Sequence, residues 1–319
     1  MSRVVALTER LLFKGQQRLP AASHLRRRGS WGLLALLALL VCVPYAARQL
    51  AVQELERQGI EVKALGRETP LEFGAPFETL TLPVHGRSLQ ARVVQAQAPT
   101  SRALLIFHGN GESVSDWSRV QARLRDVGIA SMVFDYSGFG LSTGRPSVAH
   151  LHEDGLAAYR AFVEQWPHAQ ARFVLGHSLG NAVMLDVLPA LQPHPAGVVV
   201  HAGFTSAREM ATQTGLAAPW LADLLPNLWD NEIAMARQGL ATLVMHSDAD
   251  EVIPPQMGLR LAEAAGAHAR FVSLRGVRHD SVYQDATADE WQPIIDFIHD
   301  SGKAKAAAGT WPDTARWQP

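Results

Sequence analysis

From Leu71 onward the apolar positions fall into short runs at regular intervals. The stretch "FETLTLPVHGRSLQARVV" alternates apolar and polar residues, and its His85-Gly86 pair marks the turn of a β-hairpin. Six further runs, "ALLIF", "IASMVFDY", "ARFVLG", "AGVVVHA", "ATLVMHS" and "ARFVSLR", are almost continuously apolar, as strands covered on both faces are. Helical patterns lie between them, "VSDWSRVQARLRDVG" and "SVAHLHEDGLAAYRAFVEQW" among them, each long enough for a crossover connection. The pattern predicts an α/β domain over residues 69–300, a mostly parallel sheet with helices on both faces.

Two segments depart from that rhythm. Residues 204–239 are longer than one crossover helix and carry Trp220, Trp229 and several leucines. They predict either a short helical lid or extra helices on the core edge. The stretch from Ser301, "SGKAKAAAGTWPDTARWQP", mixes Ala, Gly and Pro and predicts a disordered tail over 301–319. No internal repeat is visible.

Ahead of the domain, no charged residue occurs from Gly29 to Ala47. At helical rise this run covers slightly less than the roughly 30 Å of bilayer hydrocarbon, and Arg28 and Arg48 can reach the headgroups on either side. It predicts a transmembrane helix over 29–47. Seven Lys/Arg precede it against the single acid Glu9, which keeps residues 1–28 cytoplasmic and puts the domain on the far, periplasmic or extracytoplasmic side. A cleaved signal peptide that releases the domain is the competing reading, because the Leu-rich core, Pro44 and Ala46-Ala47 resemble a processing site. Tyr45 at the minus-three position and a lead-in of about 30 residues favour an uncleaved signal-anchor. The amphipathic "QLAVQELERQGIEVKAL" then predicts a solvated helical stalk over 48–68.

Composition narrows the function. A chain of 319 residues, 47% hydrophobic and 18% charged, supports one sizeable core. With 29 basic and 30 acidic residues there is no overall basic field to hold nucleic acid against salt. The single cysteine, Cys42, lies in the apolar run, so the domain is expected to hold no disulfide, cysteine metal cluster or cysteine nucleophile.

The candidate chemistry centres on "VLGHSLGNAV", where Gly176-His177-Ser178-Leu179-Gly180 fits Gly-x-Ser-x-Gly between a predicted strand and a predicted helix. Projecting a serine hydroxyl from the strand end needs a strained turn, with no side chain at either glycine. A serine hydroxyl is a poor nucleophile at neutral pH, so it needs a histidine to take its proton and a carboxylate to orient that histidine. Both are expected later in the chain. "MHSDADEVIP" offers Asp248 and Asp250, one of which can cap the next helix, and "RGVRHDSVY" offers His279. His177 is expected to point away from the serine, and His201 and His246 to be buried near strand ends. "LLIFHGNGES" supplies a glycine-rich loop whose Asn110 N–H, with that of Leu179, makes a candidate pair of oxyanion donors.

"FHGNGES", "DYSGFGLSTGRPS", "GHSLGNA", "HSDADEVIP" and "RGVRHDSVY" together resemble the α/β-hydrolase family. The likeness is to its membrane-anchored α/β-hydrolase-domain serine hydrolases, related to serine aminopeptidases and monoacylglycerol lipases, and runs from about Leu71 to Ile298. The resemblance implies the α/β-hydrolase fold, Ser178 as nucleophile, His279 as base and Asn110 with Leu179 as backbone oxyanion donors. It selects Asp250 over Asp248 as the acid. Ser247 departs from the family's glycine and keeps Asp248 a contender. Asp135, Tyr136 and Gly138 to Gly140 resemble a structural loop at the catalytic edge. The expected activity is hydrolysis of an ester or thioester through an acyl-enzyme, on a small-molecule or lipid-like acyl substrate, with no metal or organic cofactor. A peptidase or amidase of the same fold, using acids of "DLLPNLWDNE" to hold a peptide amino group, is the alternative, and a catalytically silent scaffold is another.

Overall fold

The alternating segment closes as a hairpin: β1 (Glu78–Val84) pairs antiparallel with β2 (Arg87–Val94) in a register that joins Val84 to Arg87. The two turn residues, His85 and Gly86, both have positive φ, which a two-residue turn matched to the strand twist requires. The six apolar runs become β3 (Arg102–Phe107), β4 (Ala130–Phe134), β5 (Ala171–His177), β6 (Gly197–His201), β7 (Thr242–Ser247) and β8 (Ala269–Leu274). They form one eight-stranded sheet in the order β1-β2-β4-β3-β5-β6-β7-β8, parallel throughout β3 to β8. This computed structural model describes residues 42–43, 45–54, 56–220, 227–286 and 288–304.

Successive side chains along each strand enter different layers, as the period of two demands. Leu105, Phe107, Val174 and Val200 join the core under α2 (Val148–Gln165), α3 (Leu179–Val187) and α6 (Pro255–Ala265). Leu104, Ile106, Phe173 and Leu175 join the opposite core, under α1 (Ser118–Asp126) and α8 (Ala288–Ala304). Both faces of the sheet are therefore dry, which is why its strands lack alternation. The segment after β6 contains α4 (Ala207–Gln213) and α5 (Asn231–Gln238), and α7 (Ser281–Gln284) follows β8.

The chain divides into two compact units, residues 1–50 and 51–319. In the first, described residues 42–43 and 45–50 are helical. Among the described residues no helix is long and apolar enough to cross a membrane. The expected span over 29–47 lies, apart from 42–43 and 45–47, outside the described residues, as does the expected tail beyond Ala304. In the second unit residues 51–54 and 56–59 are helical, and the chain then runs extended to a short helical turn at Pro70–Phe73.

β3 lies between β4 and β5, so the chain leaves β3 toward one side of the sheet and reaches β5 on the other. Such a switch point opens a crevice beyond the carboxyl ends of the strands. The loop after β3 and the turn after β5 meet there. At that turn Ser178 takes φ 51° and ψ −118°, a strained conformation for a residue with a side chain. A Cβ on Gly176 would come within 2.6 Å of the Asn181 Cα, and one on Gly180 would fall onto the carbonyl oxygen of Phe107. Gly180→Ala therefore forces α3 away from β3. It is expected to lower the unfolding free energy by at least about 2 kcal/mol, read from the urea midpoint at an unchanged slope.

Candidate active site

Ser178 is held by its backbone. Its N–H donates to His201 O at 3.1 Å, and its carbonyl accepts from Asn181 N at 3.1 Å. The Asn181 side-chain amide, fully buried, donates to His201 O at 2.8 Å and ties the turn to β6. Asn181 is absent from the sequence-based candidates, because nothing in an Asn at this position distinguishes a buried clamp from an exposed helix residue. Leu179 opens α3, so its N–H has no acceptor within the helix, and the residue lines the same cleft as Ser178 and Asn110.

The acid and the histidine come from neighbouring loops. Asp250 follows β7, His279 follows β8, and the two strands pair in parallel. His279 Nδ1 lies 2.8 Å from Asp250 Oδ2. Asp248 is elsewhere: its Oδ1 accepts from Gly276 N at 2.7 Å and fastens the loop that carries His279. Ser247, the departure from the family glycine, donates its hydroxyl to Val277 O and accepts from Ala249 N, so it braces the same two loops. His279 has its ring 4.9 Å from that of His177, the residue before Ser178. Among the described residues no hydrogen bond joins Ser178 Oγ to His279.

Asp250 is the most heavily bonded carboxylate of the site. Its Oδ1 accepts from Val252 N at 2.9 Å and Ile253 N at 2.8 Å, while Oδ2 faces His279 and, at 3.2 Å, His246 Nε2. Burial alone would raise its pKa, but the hydrogen bonds from His246 and His279 outweigh it and hold the carboxyl far below the usual range. His246, the end of β7, was foreseen as buried; its contact with Asp250 was not.

Beneath Ser178 lies a cluster of buried titratable groups. His177 Nδ1 is 3.1 Å from His201 Nδ1, and His177 Nε2 is 3.3 Å from Glu112 Oε1. The other oxygen of Glu112 accepts from Gly109 N at 2.9 Å and from Trp117 Nε1 at 2.8 Å, which ties down the loop after β3. Burial pushes Glu112 up to about 8, His201 down to about 3, His108 down to about 4, and His177 well below its ordinary value. Every one of these shifts favours the uncharged form. Asp135 accepts from Val114 N and Tyr136 donates to His108 O, so the loop they begin is braced by the fold.

The cleft over Ser178 encloses about 220 Å³ and is walled mainly by apolar side chains, including Phe204, Met210, Leu216, Trp229 and Ile253. Most come from residues 204–239, where a lid was one expectation. Of the acids of "DLLPNLWDNE", Asp223 lies outside the described residues, and the other two turn elsewhere. Asp230 caps α5 through Ile233 N, and Glu232 receives Arg260 Nε at 3.1 Å, beside Glu209 on the same guanidinium. Among the described residues no cluster of His, Cys, Asp and Glu is placed to hold a metal ion.

The Glu112 carboxyl has a pH signature. In the folded chain it keeps its proton to about pH 8, whereas the unfolded chain releases it near its ordinary 4.5. Between those values the folded state binds more protons, so this group lowers stability as pH rises. Glu112→Gln keeps an acceptor for Gly109 and Trp117 without that proton. Relative to wild type it is expected to gain about 1 kcal/mol per pH unit between pH 5 and 8, measured by urea unfolding at each pH.

Residues 98–238 match the family model described as "Serine aminopeptidase, S33". An uncharacterized protein of Mycobacterium tuberculosis is 32% identical over 186 residues, 56% of this chain and 63% of its own length. The chain thus spans under two thirds of that relative. An uncharacterized membrane protein of Saccharomyces cerevisiae is 25% identical over 277 residues, covering 85% of this chain and 95% of the relative. Among solved structures, an esterase of Pyrococcus furiosus superposes with a TM-score of 0.63 at 14% identity, over 75% of this chain and 98% of the esterase, a likeness of fold. Sheet order, the family match over part of the chain and the superposed esterase agree on the α/β-hydrolase fold, and the chain resembles the α/β-hydrolase family.

Proposed function

We propose that the protein is a serine hydrolase that cleaves an ester or thioester with an apolar acyl group. The observation that carries this reading is the His279–Asp250 hydrogen bond, beside a strained serine that opens into an apolar cleft. In this mechanism Ser178 Oγ attacks the carbonyl carbon as its proton passes to His279 Nε2, the nitrogen left free by Asp250. Asp250 fixes the tautomer and stabilises the imidazolium. The negative oxygen of the tetrahedral intermediate receives the N–H groups of Asn110 and Leu179, helped by the N-terminal end of α3. The leaving alcohol or thiol takes the proton from His279, and water, deprotonated by the same ring, releases the acid and restores the serine.

An ester is favoured over a peptide by the cleft itself. A free peptide amino group needs an unengaged carboxylate near the serine. Asp230 and Glu232 are engaged away from it, and Glu56, the one carboxylate among the described lining residues, accepts from Val148 N at 2.8 Å.

The test is fluorophosphonate labelling followed by turnover of chromogenic acyl esters beside aminoacyl amides. Wild type is expected to label at Ser178 and to prefer esters. Ser178→Ala is expected to lose on the order of a millionfold in kcat, and Asp250→Ala on the order of ten-thousandfold, with Asp248→Ala retaining most activity. An unlabelled wild type that turns over neither substrate returns the chain to the scaffold reading, and faster amide cleavage returns it to the peptidase.

The uncharged run 29–47 and the membrane description of the yeast relative support a tethered domain on the far side of the membrane from a basic N-terminus. Full-length protein is then expected to stay with membranes through alkaline carbonate washing and to keep its N-terminus by mass measurement. Release by carbonate, or a new N-terminus after Ala47, overturns the anchor.

A further inference from the structure

Residues 56–68, part of the segment foreseen as a solvated stalk, lie along the catalytic edge. Glu56, Gly59 and Ile60 line the cleft that holds Ser178. Glu56 receives the N–H of Val148, the first residue of α2. Farther along, Lys63 O accepts from Gly140 N at 2.9 Å, and Lys63 Nζ reaches Asp116 at 2.7 Å. Gly66 O accepts from Ser115 Oγ, and Glu68 O accepts from Arg92. Residues 56–68 are thus bonded to the body of the fold at every few positions, which is a strap and not a spacer.

The strap meets the oxyanion loop at one side chain. Asn110 Nδ2 donates to Gly59 O at 3.0 Å, and Asn110 Oδ1 accepts from Glu61 N at 2.8 Å. Gly111 N, next in the loop, donates to Glu61 O at 3.0 Å. The amide of Asn110 therefore brackets Ile60 as a neighbouring strand would, satisfying one backbone group on either side of it. Ile60 is half-buried and also packs against the core, and its backbone cannot leave the cleft edge without breaking this bracket. The same residue whose backbone N–H is proposed to meet the oxyanion is held in place by the strap.

Resting on the hydrolase reading, we propose that the strap is part of the active site: Ile60 is a specificity-determining wall of the acyl cleft, and Asn110 is a positioning residue whose side chain couples that wall to the oxyanion loop. The strap lies outside the stretch matched by the family model.

The experiment uses the full chain in detergent with p-nitrophenyl esters from two to twelve carbons. Ile60→Trp is expected to lower the ratio of kcat/KM for long esters to that for short ones by about tenfold or more, and Ile60→Ala to raise it. Asn110→Ala is expected to lower kcat at every chain length by about tenfold or more with KM changed less than threefold, and to slow fluorophosphonate labelling in step. Asn110→Asp, which keeps only the acceptor for Glu61 N, falls between. A merely structural Asn110 would instead lower the melting temperature and leave the kcat of the folded fraction alone. An active wild type whose chain-length ratio is unmoved by both Ile60 variants overturns this proposal and leaves the hydrolase standing. A wild type that neither labels nor turns over any ester overturns the hydrolase reading itself.

Discussion

How closely α3 approaches the end of β3 decides everything at the catalytic edge. Gly180 sits against the Phe107 carbonyl with no room for a Cβ, and Gly176 sits as tightly against Asn181. That proximity sets the turn between them and forces Ser178 into a positive φ. The strain, on the order of 1–3 kcal/mol, persists because the surroundings leave no alternative: β6 accepts from the Ser178 N–H, and the Asn181 amide holds the same carbonyl. A larger residue at either glycine would relax the turn and lose the exposed hydroxyl together.

Beneath that turn the protein handles many titratable groups by keeping them neutral. His108, His177 and His201 are buried and pushed toward their uncharged forms, and Glu112 is pushed toward its acid. Neutral groups in contact avoid the several kcal/mol that each uncompensated buried ion would cost. Asp250 goes the opposite way. Its negative charge is retained because two backbone N–H groups and two imidazoles converge on it. The contrast separates the groups that brace the site from the one proposed to work electrostatically in it.

The architecture was legible because its strands are dry on both faces: "ALLIF" and "AGVVVHA" are too short and too apolar to belong anywhere but a covered sheet. The turn at Ser178 was legible for a related reason, since its glycines report steric crowding directly. The choice between Asp248 and Asp250 was open in the residue pattern and came only from the family resemblance, which selected Asp250. Both sit in one loop; in the structure Asp250 meets His279 while Asp248 takes the Gly276 N–H. Glu112 escaped notice because a carboxylate shows no sign in the sequence of being buried against a partner distant along the chain, and for His246 burial was legible but its contact with Asp250 was not. The strap was missed for a different reason. Amphipathic periodicity reports that one face is apolar, and says nothing about whether that face meets water, membrane or the domain's own cleft.

Ser178, Asp250 and His279 lie on three separate loops, and the acid and base are supplied by the last two strands of the sheet. During synthesis the nucleophile's half of the sheet emerges first, while β7 and β8 are still to be made. A ribosome-bound chain that has reached α3 carries the proposed serine with no partner to deprotonate it. On the proposed mechanism, hydrolytic capacity appears only when nearly the whole domain has been translated.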